Sequence, residues 1–309
     1  MDFLTSLVNS MPGAVAQGLI WGIMAIGVYI TYRILDVADL TVDGSICTGS
    51  AVCTMLIING CPVGLAMLIA TLSGVAAGLI TGMLHITFGI PAILSGILTQ
   101  LVLWSVNLKI MGRANQALSA RNYSVLISQM NLTSAILILI ICAALLVALL
   151  YVFFGTELGC SIRATGINAA MSRAQGIYRQ GIHTDVTKLI GLALSNGIVA
   201  FAGALLCQYQ GYSDINMGRG AVVIGLAAVV IGEAIISKLP QNFAIRLSGV
   251  LLGAVVYYIV YQIIILIGLD TDLLKMFSAI VVAVFLGLPY IKGKIAERRK
   301  YKKEDETHA

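Results

Sequence analysis

Charge is what this chain has least of. Only 11% of its 309 residues are Asp, Glu, Lys or Arg, where soluble domains carry about a quarter. A chain so poor in charge cannot cover a fold of this length with a water-facing surface, which excludes a separate soluble domain. Histidine is scarce too: His85, His183 and His308 are scattered and assemble no ligand set. The cysteines (Cys47, Cys53, Cys61, Cys142, Cys160, Cys207) contain no CxxC pair. All but Cys160 lie in or at the ends of apolar runs, where cysteine acts as a small packing residue. There is no GxxxxGK[ST] phosphate loop, no HExxH and no GxSxG, so the sequence carries no enzyme signature. Work against a gradient would then draw its energy from another chain or from a coupled ion. The opening MDFLTSLVNSMPG lacks the basic stretch of a cleavable signal peptide. The first apolar segment is expected to serve as its own insertion signal.

What is there is apolar. The chain is 59% hydrophobic, with a mean hydropathy of +0.96. Crossing a bilayer takes about 20 helical residues, and about nine runs come near that length: 14–32, 41–59, 62–84, 86–108, 132–154, 186–208, 218–236, 247–267 and 273–290. The expected fold is all-α, a polytopic transmembrane bundle over residues 1–290 followed by a basic cytoplasmic tail, 291–309. The segment 41–59 is weakly apolar and rich in Gly, Ser and Thr, so it is broken or re-entrant on this reading. Its small-residue stretch 41–52 is echoed by a second one, 218–233. Each is followed by two further runs, the spacing of an internal repeat.

Basic residues set the expected orientation. With the tail inside and nine alternating spans, the cytoplasmic side collects Arg33, Arg163, Arg173, Arg179, Lys188, Lys238, Arg246 and the tail from Lys292 to Lys303. The N-terminus then lies outside. The tail is a juxtamembrane cluster that contacts anionic lipid rather than nucleic acid. The outer loop 109–131 carries Lys109, Arg113 and Arg121 without an acid, and is long enough to be a surface element of its own.

Three polar stretches enter the apolar runs. Asp36 and Asp39 read as a cytoplasmic turn. Asp43, Ser45 and Thr48 lie deeper, and either line a water-filled path where a helix breaks or bond to neighbouring structure. Pro91 sits at a helix start, with Ser95 and Thr99 on one face and Gln100 beside them. That face lines a path or hydrogen-bonds to another helix. Asn196 and Glu233 are further polar groups in apolar runs, and helix-to-helix bonding is the simpler reading of each. Gly74, Gly78 and Gly82 form a small-xxx-small row suited to close helix packing.

The polar stretch 155–185 separates the two apolar halves. Asn168 is a good N-cap and Gly176 a good C′ residue, so residues 169–175 are expected to form two helical turns. Ile167, Met171 and Ala174 fall on one side of it. Ile177 can fold back on Met171 beyond the glycine. Arg163, Arg173 and Arg179 add positive charge. A capped, cationic, amphipathic helix between membrane spans either joins two spans as a solvated loop or docks another protein.

The run Glu157-Leu-Gly-Cys-Ser-Ile-Arg-Ala-Thr-Gly-Ile-Asn resembles the central loop of bacterial ABC importer permeases of the branched-chain amino acid and ribose type. Residues 17–52, the IPAILSGILTQ start and 218–232 resemble the same family in the expected order. Leu40-Thr-Val-Asp-Gly-Ser is similar to a subgroup linked to aromatic amino acids. The resemblance implies two permease copies, two separate ATPase subunits that hold ATP and Mg, and an extracellular solute-binding lipoprotein that delivers a small solute. It assigns Glu157, Gly159, Arg163, Ala164, Gly166, Asn168, Ala174 and Gly176 to ATPase coupling, and the apolar face of the expected helix adds Met171. Cys160 and Ser161 depart from the more frequent residues of that loop. Asp43, Ser45, Thr48, Ser95, Thr99, Gln100 and Asn196 are the path candidates. The competing reading is an ion-coupled secondary transporter, which needs carboxylates deep in spans.

Overall fold

The computed structural model describes residues 3–119, 123–174, 184–237 and 242–267, with isolated positions between 276 and 287. The expected run 273–290, the basic tail, Gly176 and Ile177 lie outside the described residues. The helices are α1 (Phe3–Tyr29), α2 (Val42–Ile58), α3 (Val63–Ile86), α4 (Ala92–Met111), α5 (Leu132–Gly155), α6 (Glu157–Ile167), α7 (Ala169–Ser172), α8 (Thr184–Gln210), α9 (Ala221–Ile236) and α10 (Phe243–Leu266). A π-helical turn, Ile30–Ile34, extends α1. Two three-residue strands, β1 (Asn115–Ala117) and β2 (Tyr212–Asp214), pair antiparallel.

Among the described residues, six helices are long and apolar enough to cross a membrane. The runs 41–59 and 218–236 fall short of that: they hold the shorter apolar helices α2 and α9. The polytopic bundle stands; nine full-length helical spans do not follow from the described residues.

α1 and α8 form the buried centre, and they run antiparallel. Ser195 donates to the Gly27 carbonyl at 2.7 Å, and near their other ends Tyr209 donates to the Gly13 carbonyl at 3.4 Å. α3 packs along α8 through the expected glycine row, where a methyl at Gly74 or Gly78 would meet α8 backbone at Asn196 or Leu192. α5 presents Leu137, Ile140, Ile141, Leu145, Leu149 and Val152 outward. A helix apolar all round with one bare face suits contact with lipid.

The short helices start halfway. Asn196 lies one residue before the midpoint of α8, and it bonds both Asp39 and Ser45. The chain leaves the π turn at Ile34, returns through residues 35–41, and starts α2 at mid-depth. α2 then rises beside the second half of α8, where Gln208 donates to the Cys53 sulfur at 3.7 Å. α9 starts at the same level, because Asp43 in the first turn of α2 holds its N-terminus. It runs the opposite way, towards Arg33 at the end of α1, which pairs with Glu233 at 2.9 Å. At 1.5 Å per residue each short helix covers roughly 25 Å, less than the ~30 Å hydrocarbon core.

The loop 109–131 is not an independent surface element. β1 and β2 tie it to the end of α8, and Gln208 accepts from the Leu126 N–H at 2.9 Å.

Candidate functional site: the half-helix junction and the central loop

At the junction, Asp43 accepts from the backbone N–H of Gly220 and of Val222, both at 3.0 Å. The first N–H groups of a helix have no partner within it, so a carboxylate there satisfies two of them and complements the helix dipole. Beside it the Cys47 sulfur accepts from the Gly218 N–H at 3.1 Å. A methyl on Gly218 would collide with the Asp43 carbonyl, so only glycine lets the lead-in to α9 pass this close to α2.

Below the junction lies a sealed polar network. Asp39 is 6% exposed, not a solvated turn. Its carboxylate accepts from the Thr41 N–H at 2.8 Å and from Asn196 at 2.7 Å. Asn196 accepts from Ser45 at 2.6 Å and donates to the Leu192 carbonyl at 3.0 Å. Thr41, Thr81 and Thr99 link α2, α3 and α4 at 2.7 and 2.9 Å. Ser95 and Thr48 bond to backbone within their own helices. Ser45, Thr99 and Asn196 therefore join helices at buried positions, while Thr48 and Ser95 are buried and bonded locally. Of the path candidates, Asp43 and Gln100 are the two that face open space.

They line a cleft of about 120 Å³ together with Gly44, Cys47, Leu101, Trp104, Asn107, Ile215 and Arg219. Sequence reasoning missed Trp104, Asn107 and Arg219. Gln100, Trp104 and Asn107 stand at i, i+4 and i+7, one face of α4, and that spacing was the available signal. Asn107 is 1% exposed, and neither of its amide atoms has a hydrogen-bond partner among the described residues.

The central loop folds as two helices. Thr156 caps α6, accepting from the Gly159 N–H at 3.3 Å. Glu157 lies exposed in its first turn. Glu157–Ile167 is thus an 11-residue helix. Asn168 is the N-cap expected of it, accepting from the Met171 N–H at 3.0 Å. α7 spans four residues and passes into a π-type turn at 173–174, and the remainder of the expected helix lies outside the described residues.

α6 is anchored on its inner face. Ile162 is buried, and Thr165 bonds Thr187 of α8 at 3.0 Å. Gly166 lies against the Ile34 carbonyl, where a methyl has no room. Arg163 lies over the Phe243 ring at 5.6 Å. Arg163, Arg33 and Arg246 line a further cleft of about 340 Å³. Arg173 donates to Thr184 at 2.7 Å and faces Asp185 at 3.6 Å. The outer face is bare and apolar: Ile167 is 86% exposed, Met171 57%, and Ala174 is exposed beside them. Ala164 is half-buried.

A family model described as "Branched-chain amino acid transport system / permease component" matches residues 11–287. The tyrosine transport system permease protein of Clostridioides difficile is 36% identical over 278 residues, 90% of each chain. The fructose import permease protein FruF of Bifidobacterium longum is 27% identical, covering 92% of this chain and 80% of the relative. The autoinducer 2 import system permease protein LsrC of Yersinia enterocolitica is 30% identical over 71% of this chain and 58% of the relative. No solved structure matches. A bundle with six membrane-length helices among its described residues and a match over nearly the whole chain agree, and the protein belongs to the branched-chain amino acid transport system permeases, the membrane subunits of ABC importers.

Proposed function

We propose that this chain is the permease subunit of an importer for a small amino acid-like solute, and that α6 and α7 dock a separate ATPase. The observation that carries the docking is the bare apolar face of Ile167, Met171 and Ala174 on a helix whose other side is anchored to the bundle. An exposed apolar patch beside basic side chains marks a protein contact. Glu157, Gly159, Arg163, Ala164, Gly166, Asn168 and Met171 build or position that face, and Gly176 extends it in sequence.

In this reading two permease copies form the translocation path, and an extracellular binding protein delivers the solute. ATP and Mg are held by the ATPase dimer. Its closure moves the two docking elements together, and the copies rock about a shared path. The amino acid assignment is supported by the tyrosine permease relative. The central loop faces the cytoplasm and the N-terminus lies outside, in keeping with the positive-inside rule.

The test is Ile167→Glu combined with Met171→Glu in the chain expressed with the ATPase of its own transporter. Both side chains are exposed, so the fold stays intact. ATPase association is expected to fall about tenfold or more, the scale of losing an interface anchor. Undiminished association and coupled ATP hydrolysis would sink the docking assignment.

The secondary-transporter alternative needs an ion-carrying carboxylate inside the bundle. Asp39 and Asp43 are both engaged by backbone and amide donors. Those bonds give each carboxylate a structural role, which favours the ATP-driven reading.

A further inference from the structure

We propose that the cleft at the half-helix junction holds the zwitterionic head group of an α-amino acid in transit. Arg219 and the amides of Gln100 and Asn107 take its carboxylate, and Asp43 takes its ammonium group. The proposal rests on the importer reading above and names the chemistry of its solute.

Four observations converge. The first is Asn107. A buried amide with neither atom bonded costs about 1–3 kcal/mol per unmet group, so a chain that keeps it gains something elsewhere. Its side chain lines the cleft. The second is the charge pattern. Arg219 and Asp43 line the same cleft, yet Arg219 makes no side-chain hydrogen bond or ion pair among the described residues. The ion pairs found there are Arg33–Glu233 and Arg173–Asp185. Two opposite charges held apart across one cleft complement a zwitterion, whereas a neutral polyol needs neither. Asp43 uses one lone pair on each oxygen for Gly220 and Val222, which leaves acceptor capacity for an ammonium group.

The third observation is place. Two interrupted helices meet at mid-depth, the level of Asn196 on α8. Such meetings of half-helices are where membrane transporters tolerate irregular backbone around a polar ligand. The fourth is Trp104, 44% exposed at the same cleft. About 120 Å³ encloses a head group and not a large side chain, so the side chain extends along the indole face, which favours aromatic and apolar amino acids.

The test uses the full chain purified in detergent and saturation-transfer NMR, which detects millimolar binding. L-tyrosine, tyramine (no carboxylate), 3-(4-hydroxyphenyl)propionate (no ammonium group) and D-fructose are the probes. Transfer to L-tyrosine is expected, with about tenfold weaker binding of each truncated analogue. Arg219→Gln and Asn107→Leu are expected to weaken tyrosine to a similar extent. Asn107→Leu also raises the melting temperature, because it removes the unmet amide. That rise separates lost recognition from lost fold.

Equal binding of tyramine, variant-insensitive binding, preference for fructose, or no transfer to any amino acid each overturns the proposal. ATPase association is scored on the same samples. If it fails in the wild-type chain the importer reading falls, while the NMR result still judges the cleft.

Discussion

A single carboxylate illustrates how local the sequence reading is. Asp39 sits between two apolar runs and looks like a surface turn, yet it is the acceptor that completes a buried network with Thr41 and Asn196. Removing it leaves the Thr41 N–H and one N–H of the Asn196 amide without an acceptor inside the bundle. Asp39→Ala is expected to cost about 2–6 kcal/mol, two unmet groups at about 1–3 kcal/mol each. Thermal unfolding in detergent checks it, and an unchanged transition would remove the network from the stability argument. Asn196 was legible as a helix-to-helix bonding group, because an amide in an apolar run needs a partner. Which partners it has was not legible, since Ser45 and Asp39 lie more than 150 positions away in the chain.

At the scale of elements, caps were the readable feature. Asn168 was identified as an N-cap from its residue type and place, and its side chain bonds the Met171 N–H. Asn168→Ala is expected to cost the short helix about 1 kcal/mol and to weaken ATPase association, measured by co-purification, with the transition of the bundle unmoved. The preceding helix was not anticipated. Thr156 starts a helix before the expected one, and helix interiors such as Cys160–Thr165 carry no strong signal in so short a stretch. The small-residue echo between 41–52 and 218–233 has a physical basis: both segments are the starts of shortened helices that meet. Gly218→Ala places a methyl against the Asp43 carbonyl. Strain of this kind costs about 1–3 kcal/mol, and the expected outcome is a lower melting temperature together with slower solute uptake. Normal uptake would separate the junction from transport.

The whole molecule poses the question of orientation, and two native thiols answer it. Cys160 is exposed on α6 and Cys61 is half-buried at the turn between α2 and α3. They lie at opposite ends of the bundle in the proposed topology. A membrane-impermeant maleimide is expected to modify Cys160 in inside-out vesicles and Cys61 in right-side-out vesicles, read by peptide mass. The reverse pattern would invert the orientation and remove the ATPase from the side where α6 and α7 lie.

By itself the sequence determined the solvent, the family and the approximate segments. Scarce charge, apolar runs of membrane length and the Glu157–Asn168 stretch are properties of composition and short-range order, and they survive without knowing what touches what. The tertiary structure decided which of those runs are whole. A hydrophobic run reports that a segment is buried or faces lipid, but not the depth at which its helix begins. That depth comes from contacts between distant residues, such as Asp43 with Gly220 and Ser45 with Asn196. Only those contacts bring α2, α4 and the lead-in to α9 around one cleft, and only there does Asn107 stand unpartnered beside Arg219.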